Sequence, residues 1–232
     1  MAIAERLSRT RKLILHGRDI ARLERCRECC SNSGVHLLWQ QDFKEIENVT
    51  TSLTRFLTAN GCRVVEFVHS AGQVHVLSAR SADLRQVLDS LSVNYIAAQQ
   101  IISTLLKKSV NGGQLRSVVV VSSIWSQFGA RGHSLYCASK AALDGMVRSL
   151  AVELAPGVRI NSVLPGAIRT PMAEVAFTDP AIAERFQATY PLGIGRPEDI
   201  AGAVEFLLSE NALWVTGHQF VVDGGRTSNM SL

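Results

Sequence analysis

Tyr136 and Lys140 are the two side chains of this sequence whose types and spacing best suit proton chemistry. Residues four apart in a helix lie on the same face, so an ammonium would stand beside a phenol. A nearby positive charge favours the phenolate and lowers the pKa of the tyrosine. Tyr136 could then act as a general acid toward a carbonyl oxygen or as a general base toward an alcohol. The pair alone is weak, because two exposed helix residues without any chemistry have the same spacing.

Other polar residues are predicted to meet this pair at one edge of a sheet. Ser122 and Ser123 directly follow Ser117–Val121, whose unbroken valines predict a strand that is buried on both faces. Pro165 and Gly166 follow the next predicted strand, 158–163. Ligands of open α/β sheets bind beyond the carboxyl ends of the strands, so a site is expected at this edge.

The elements that position these residues follow from an alternation of short β-branched runs with helical stretches. This pattern is typical of parallel βαβ units, and it predicts one α/β domain over residues 1–232. Strands are predicted over 12–16, 35–39, 64–68, 117–121, 158–163 and 220–222. Helices are predicted over 2–9, 19–30, 43–60, 82–108, 134–154 and 197–208.

Composition and charge exclude several classes of protein. Hydrophobic residues make up 47% of the 232 residues and charged ones 19%, which argues against a disordered chain. The formal net charge is +4, and the basic residues are interspersed with acidic ones, so no nucleic-acid partner is expected. No signal peptide and no apolar run of about 18 residues is visible, so no membrane partner is expected.

The cysteines favour a reduced, cytoplasmic protein. There are five, an odd number, and three of them are Cys26, Cys29 and Cys30. Zinc needs four ligands, and no second Cys/His pair stands at a suitable spacing. We therefore expect no metal site.

Five motifs together make the sequence resemble the classical short-chain dehydrogenase/reductase family. They are Ser123, Tyr136-x3-Lys140, Asn161-x3-Pro165-Gly166-x3-Thr170, Pro197-Glu198-Asp199-Ile200-Ala201 and Val222-Asp223-Gly224-Gly225. The resemblance implies a Rossmann-type, doubly wound parallel sheet in a three-layer α/β/α arrangement. It also implies hydride transfer between a nicotinamide cofactor and a small carbonyl or secondary alcohol substrate. The family is commonly oligomeric, so a homotetramer or homodimer is expected through the helices at 82–108 and 134–154 and the C-terminal strand.

The same resemblance implies a catalytic set. Tyr136 would be the acid/base, and Lys140 would hold the ribose and lower the pKa of Tyr136. Ser123 would hydrogen-bond the reacting oxygen, and Asn94 would anchor a water of the proton relay. Two alternatives stay open: Asn94 could be an amide on the surface of a helix, and Ser123 could only cap the end of a strand.

Cofactor contacts are implied on the nicotinamide side and on the adenine side. The Pro165-Gly166 turn, the backbone of Ile168 and the side chain of Thr170 would hold the nicotinamide. On the adenine side, Ser70, Ala71 and Gly72 would approach the ribose, and Asp42 would touch the adenine amine or else cap a helix. Ser70 stands where the family usually has asparagine, so weaker support of the sheet is expected there.

The choice between NADP and NAD depends on two adjacent residues. Arg18 follows the first predicted strand and could take a 2′-phosphate, which favours NADP. Asp19 could instead bind the ribose hydroxyls of NAD, which therefore remains the less favoured alternative.

The sequence departs from the family at its start. The family begins with a strand and a Gly-rich loop that cradles the pyrophosphate, whereas residues 1–7 resemble the helix that follows this loop. The missing strand would lie inside the sheet, and each buried backbone group without a partner costs roughly 1–3 kcal/mol. The chain could be a shortened form, could obtain the strand in a rearranged fold, or could lack normal cofactor binding.

Two functional hypotheses follow. The first is an NADP-dependent reductase of the 3-oxoacyl-reductase kind or for a related ketone, with a substrate lid at 172–192 whose composition suits a moderately apolar ligand. The alternative is a non-catalytic member that uses the scaffold for binding or assembly. The first depends on the catalytic set, and the second on the absent phosphate loop.

Overall fold

All six strands that the structure shows run parallel. They are β1 Ile14–Gly17, β2 Leu37–Gln40, β3 Glu66–His69, β4 Ser117–Val121, β5 Arg159–Pro165 and β6 Gln219–Val222. The structure is a computed structural model, and it describes residues 1–170, 184 and 187–229. The bounds of β4 are those predicted from its valine run, and the other strands begin or end within one or two residues of the predicted positions.

Helices cover both faces of the sheet, as the alternating pattern predicts. They are α1 Ala2–Leu7, α2 Ile20–Glu28, α3 Val49–Ala59, α4 Leu84–Leu91, α5 Ala97–Leu106, α6 Lys108–Asn111, α7 Ser134–Leu154 and α8 Pro197–Leu208. One core lies between the sheet and α3, α5 and α7, around Leu57, Ile102 and Leu143. A second lies on the opposite face, where Leu7 and Val204 pack against Val119. The three-layer α/β/α arrangement is therefore confirmed.

The sheet is interrupted between β1 and β3. Strands β1 and β2 form a two-stranded sheet, whereas β3, β4, β5 and β6 form a four-stranded sheet in that order. No backbone hydrogen bond joins β1 to β3 among the residues that the structure describes. We call this interruption the sheet break. It lies where the family's first strand was expected to be missing.

Side chains connect the two sheets across the sheet break. Arg11 donates from Nε to Glu66 Oε2 at 2.5 Å. At the carboxyl ends of the strands, the ring of Phe43 stacks on His16 with centroids 4.0 Å apart, and it lies 6.0 Å from the ring of His69. These contacts hold the two sheets together without a backbone ladder.

Two helix predictions were wrong in detail. The stretch predicted as one helix over 82–108 is divided by a π-helical turn, Ser92–Ile96, and ends at Leu106. The helix predicted over 43–60 begins only at Val49, because the preceding residues form turns. Most of the segment 171–195 lies outside the described residues. Of the predicted lid at 172–192, only residue 184 and residues 187–192 are described.

Candidate active site

Lys140 lies in the second turn of α7 and is buried. Its Nζ donates to the carbonyl oxygen of Val121 at 2.8 Å, at the carboxyl end of β4. Burial lowers the pKa of Lys140 to about 8, and the carboxylate of Asp144, one turn further along α7, opposes this shift. The structure thus places the Lys140 ammonium, with a lowered pKa, near the N-terminal end of α7.

Tyr136 is one turn before Lys140, and the ammonium lies 5.6 Å from the centre of the phenol ring. Burial raises the pKa of Tyr136, and interaction with the Ser123 side chain offsets part of this rise. The expected lowering of the Tyr136 pKa was therefore wrong for this geometry, because burial outweighs the favourable interactions and Lys140 donates to a backbone carbonyl instead. A raised pKa keeps the phenol protonated near neutral pH.

Asn94 is fully buried inside the π-helical turn, so the alternative of a surface amide was wrong. Its Oδ1 accepts from the backbone N–H of Gln73 at 2.8 Å. Its Nδ2 donates to the carbonyl oxygen of Gln73 at 2.9 Å and to Ser139 Oγ at 2.8 Å. Both N–H groups of the amide are in use, so a water could bind the side chain only through the second lone pair of Oδ1.

Gly72 brings the loop after β3 against the same two side chains. A Cβ at this position would lie 3.4 Å from Lys140 Nζ and 3.6 Å from Asn94 Oδ1. The backbone at Gly72 therefore approaches the site closely, and Ala71 is partly buried beside it. Ser70 is exposed.

Ser123 lies two residues after the end of β4, beside aromatic side chains that sequence reasoning missed. Its Oγ accepts from the backbone N–H of Trp125 at 3.2 Å and so caps the 3-10 turn Ile124–Ser126 rather than the strand, and the hydroxyl also interacts with Tyr136. The ring of Trp125 meets Tyr136 edge-on with centroids 6.0 Å apart, and His133 lies 4.3 Å from Trp125. His133 stands three residues before Tyr136 in the sequence. This spacing was a signal that could have placed His133 near Tyr136.

The segment after β5 is fixed by backbone pairing. Ile168 forms a parallel bridge with Gly195, through bonds from Gly195 N to Ala167 O at 3.0 Å and from Arg169 N to Gly195 O at 2.9 Å. In a parallel bridge of this kind the N–H and C=O of Ile168 point away from Gly195. Neither group of Ile168 takes part in the bridge to Gly195.

The turn predicted at Pro165-Gly166 is not where the strand ends, because pairing with β6 extends β5 to Pro165. Pro165 ends β5, and the N–H of Gly166 donates to the carbonyl oxygen of Val222 at 3.0 Å. Thr170 is the last residue described before 184 and is partly buried.

Arg18, Asp19 and Asp42 lie at the carboxyl ends of β1 and β2, on the other side of the sheet break. Asp19 caps α2, since its Oδ1 accepts from the backbone N–H of Arg22 at 3.1 Å. Arg18 is exposed. Asp42 accepts from the backbone N–H of Lys44 at 2.9 Å in a turn, and α3 begins only at Val49, so the helix-cap alternative for Asp42 was wrong.

Among the described residues, no group of three or more His, Cys, Asp or Glu side chains could hold a metal ion, and the five cysteines are free thiols. Among these residues, no helix combines the length and the apolar character that crossing a membrane requires.

Comparisons with known proteins agree with this architecture. A family model described as enoyl-(acyl carrier protein) reductase matches residues 1–227. Dehydrogenase/reductase SDR family member 4 of Bos taurus is 46% identical over 118 residues, which are 49% of this chain and 42% of that protein. L-xylulose reductase of Bos taurus is 38% identical over 138 residues, which are 59% of this chain and 57% of that protein. The matched stretches thus span about half the length of these curated relatives.

A solved structure matches nearly the whole chain. The structure of a 4-hydroxyisoleucine dehydrogenase mutant complexed with NADH and succinate superposes with a TM-score of 0.90 at 23% identity, covering 99% of this chain and 94% of that one. At this identity the likeness concerns the fold alone. Together with the family match and the arrangement of Ser123, Tyr136 and Lys140, it leads to one assignment: the chain belongs to the short-chain dehydrogenase/reductase family.

Proposed function

We propose that this chain acts in an NADP-dependent oxidoreductase that reduces a small carbonyl compound or oxidises the corresponding secondary alcohol. The observation that carries the proposal is the convergence of Tyr136, Lys140, Ser123 and Asn94 at the carboxyl ends of β3 and β4. An ordinary exposed helix pair would have none of this burial and none of these partners.

The chain's own residues supply the proton chemistry. Tyr136 is protonated near neutral pH and can donate its proton to a carbonyl oxygen as negative charge develops there. Ser123 donates a hydrogen bond to the same oxygen and so fixes its position. The Lys140 ammonium stabilises the phenolate that remains. A bound nicotinamide cofactor would supply the hydride.

The residues fit the nicotinamide end of such a cofactor. The backbone groups of Ile168 point away from Gly195, Gly72 leaves room beside Lys140, and Lys140 carries N–H donors suited to ribose hydroxyls. No Gly-rich loop for the pyrophosphate occurs in the sequence, so the contacts of that part lie outside this proposal.

NADP is proposed over NAD because the adjacent side chains of Arg18 and Asp19 make different contacts. Asp19 is occupied as the cap of α2, whereas Arg18 is exposed at the end of β1. A guanidinium can pair with a 2′-phosphate through two parallel hydrogen bonds. One oxygen of the aspartate that would read unmodified ribose is thus engaged in a helix cap.

The proposed substrates are small ketones, either 3-oxoacyl compounds or sugar-derived ketones. Similarity to L-xylulose reductase supports the sugar-derived class. A cytoplasmic homo-oligomer is part of the proposal. The exposed leucines Leu84 and Leu88, one turn apart on α4, support an interface there.

The test removes the phenol oxygen of Tyr136 in the intact protein. Tyr136→Phe should lower kcat/KM for ketone reduction by about a thousandfold, because the proton donor is lost. Binding of NADPH, measured by calorimetry, should change only a few-fold. Tyr95→Phe, which removes another partly buried phenol oxygen, is the matched control and should retain activity. Turnover of Tyr136→Phe near the wild-type rate would refute the assigned acid.

A non-catalytic scaffold is the second candidate, and the sheet break favours it. This candidate predicts that neither nicotinamide cofactor binds tightly. Calorimetry with NADPH and with NADH distinguishes the two candidates. Micromolar binding of either cofactor would exclude the scaffold role.

A further inference from the structure

Tyr190 is a buried residue that neither the catalytic set nor the cofactor contacts include. It is 6% exposed, and its phenol oxygen accepts from the backbone N–H of Ala167 at 3.1 Å. The edge of its ring presses on the same segment, since a Cβ on Gly166 would lie 2.9 Å from Tyr190 Cε1. Tyr190 therefore contacts two consecutive residues directly before Ile168.

These contacts complete the pairing that orients Ile168. The carbonyl of Ala167 already accepts from Gly195 N at 3.0 Å. In an extended segment the N–H and C=O of one residue point to the same side, and those of the next residue to the other. With the phenol oxygen on its N–H, Ala167 is held by both of its backbone groups, and those of Ile168 must face away.

The residues around Tyr190 are themselves tightly fixed. Gly193 N donates to the carbonyl oxygen of Tyr190 at 2.8 Å, and the side chain of Ile168 lies so close over Gly195 that a Cβ there would be 2.6 Å from Ile168 Cδ1. The phenol oxygen thus acts from a rigid support. A mobile support could not fix the direction of a peptide plane.

We infer that Tyr190 is a positioning residue for the reaction, whose hydroxyl holds the 165–170 segment so that the backbone of Ile168 faces the nicotinamide carboxamide. This inference rests on the proposed function. Losing the hydroxyl leaves the ring and its packing in place but releases the Ala167 N–H. The nicotinamide would then bind with a less defined orientation.

The first experiment needs no turnover. Amide hydrogen exchange is compared in wild type, Tyr190→Phe and the control Tyr95→Phe. Exchange at Ala167 should become about tenfold faster in Tyr190→Phe and stay unchanged in Tyr95→Phe, because one hydrogen bond is lost. Thermal unfolding checks that Tyr190→Phe is folded. Unchanged exchange at Ala167 would overturn the inference.

The second experiment measures kcat and the hydrogen isotope effect on hydride transfer, which a merely structural role of Tyr190 would not change. With NADPH deuterated at the transferred position, Tyr190→Phe should lower kcat about tenfold and raise the isotope effect, while NADPH affinity changes only a few-fold. Wild-type kcat and isotope effect in Tyr190→Phe would overturn the inference. Absence of turnover in the wild type would instead refute the proposed function, and exchange at Ala167 would still decide whether Tyr190 holds the segment.

Discussion

Lys140 sets the pH range in which the proposed site can work. Burial lowers its pKa from 10.5 to about 8, so the ammonium is lost at a lower pH than for an exposed lysine. We expect kcat/KM for ketone reduction to be constant between pH 6 and about 7.5 and to fall about tenfold per pH unit well above 8. A profile that stays flat to pH 10 would contradict this assignment.

Asp144 offers a second variant for the same profile. Its carboxylate raises the pKa of Lys140, so Asp144→Asn should move the alkaline limb to lower pH. Lys108→Met, at an exposed lysine, is the control and should leave the limb in place.

The sequence predicted which residues meet at the candidate site better than it predicted their electrostatics. Spacing singled out Tyr136 and Lys140, because a helix fixes which residues share a face, and the surrounding motifs made the pair specific. The direction of the Tyr136 pKa could not be predicted, since it depends on burial by residues distant in the sequence. Trp125, next to the predicted Ser123, was missed because nothing in its local pattern shows that the chain turns back toward α7.

At the scale of elements, two buried histidines stand at the ends of strands on either side of the sheet break. Burial lowers the pKa of His16, in β1, to about 4 and that of His69, in β3, to about 3. In the unfolded chain both titrate near 6.5, so the unfolded state binds more protons below that pH. The contribution of the two neutral histidines to the free energy of unfolding is therefore complete above pH 6.5. It is lost as the pH falls toward 4.

The free energy of unfolding should therefore fall by about 4 kcal/mol between pH 7 and pH 5, at about 1.4 kcal/mol per pH unit for each histidine. Urea unfolding at the two pH values measures this. His69→Gln should roughly halve the dependence, whereas His218→Gln, at an exposed position, should not alter it. Equal slopes for wild type and His69→Gln would show that His69 is not the cause.

Elements with a strong local signal were predicted closely, and the irregular ones were not. The valine run gave β4 its bounds, and Pro197 with Asp199 marked the start of α8, where Arg196 N donates to Asp199 Oδ2 at 2.7 Å. The widened turn at Ser92–Ile96 leaves no such signal. It exists because Asn94 bonds to Gln73 and Ser139, which lie on other elements.

For the whole molecule, the sheet break divides the strands into two separate sheets. The facing edges of β1 and β3 lack backbone partners within the described part of the chain, and only side chains such as Arg11 and Glu66 connect the two sheets. A strand placed between these edges would pair with both and bury apolar surface on both faces.

Joining about five β-branched residues and a short glycine turn to residue 1 should therefore raise the free energy of unfolding by several kcal/mol. Amide exchange at β1 and β3 should slow markedly. The same extension with two prolines, which cannot donate to a ladder, is the control. If both extensions leave stability and exchange unchanged, the sheet break does not accept a strand.

The π-helical turn Ser92–Ile96 has a consequence for single-residue deletions. A π-helical turn amounts to one residue inserted into an α-helix, so the helices before and after it keep the rotation that their packing requires. Deletion of one residue from Ser92–Ile96 would let α4 and α5 join into one continuous α-helix. Their apolar faces would keep the same relative orientation. The three hydrogen bonds that Asn94 makes to Gln73 and Ser139 would then be lost, and with them the fixed orientation of its side chain.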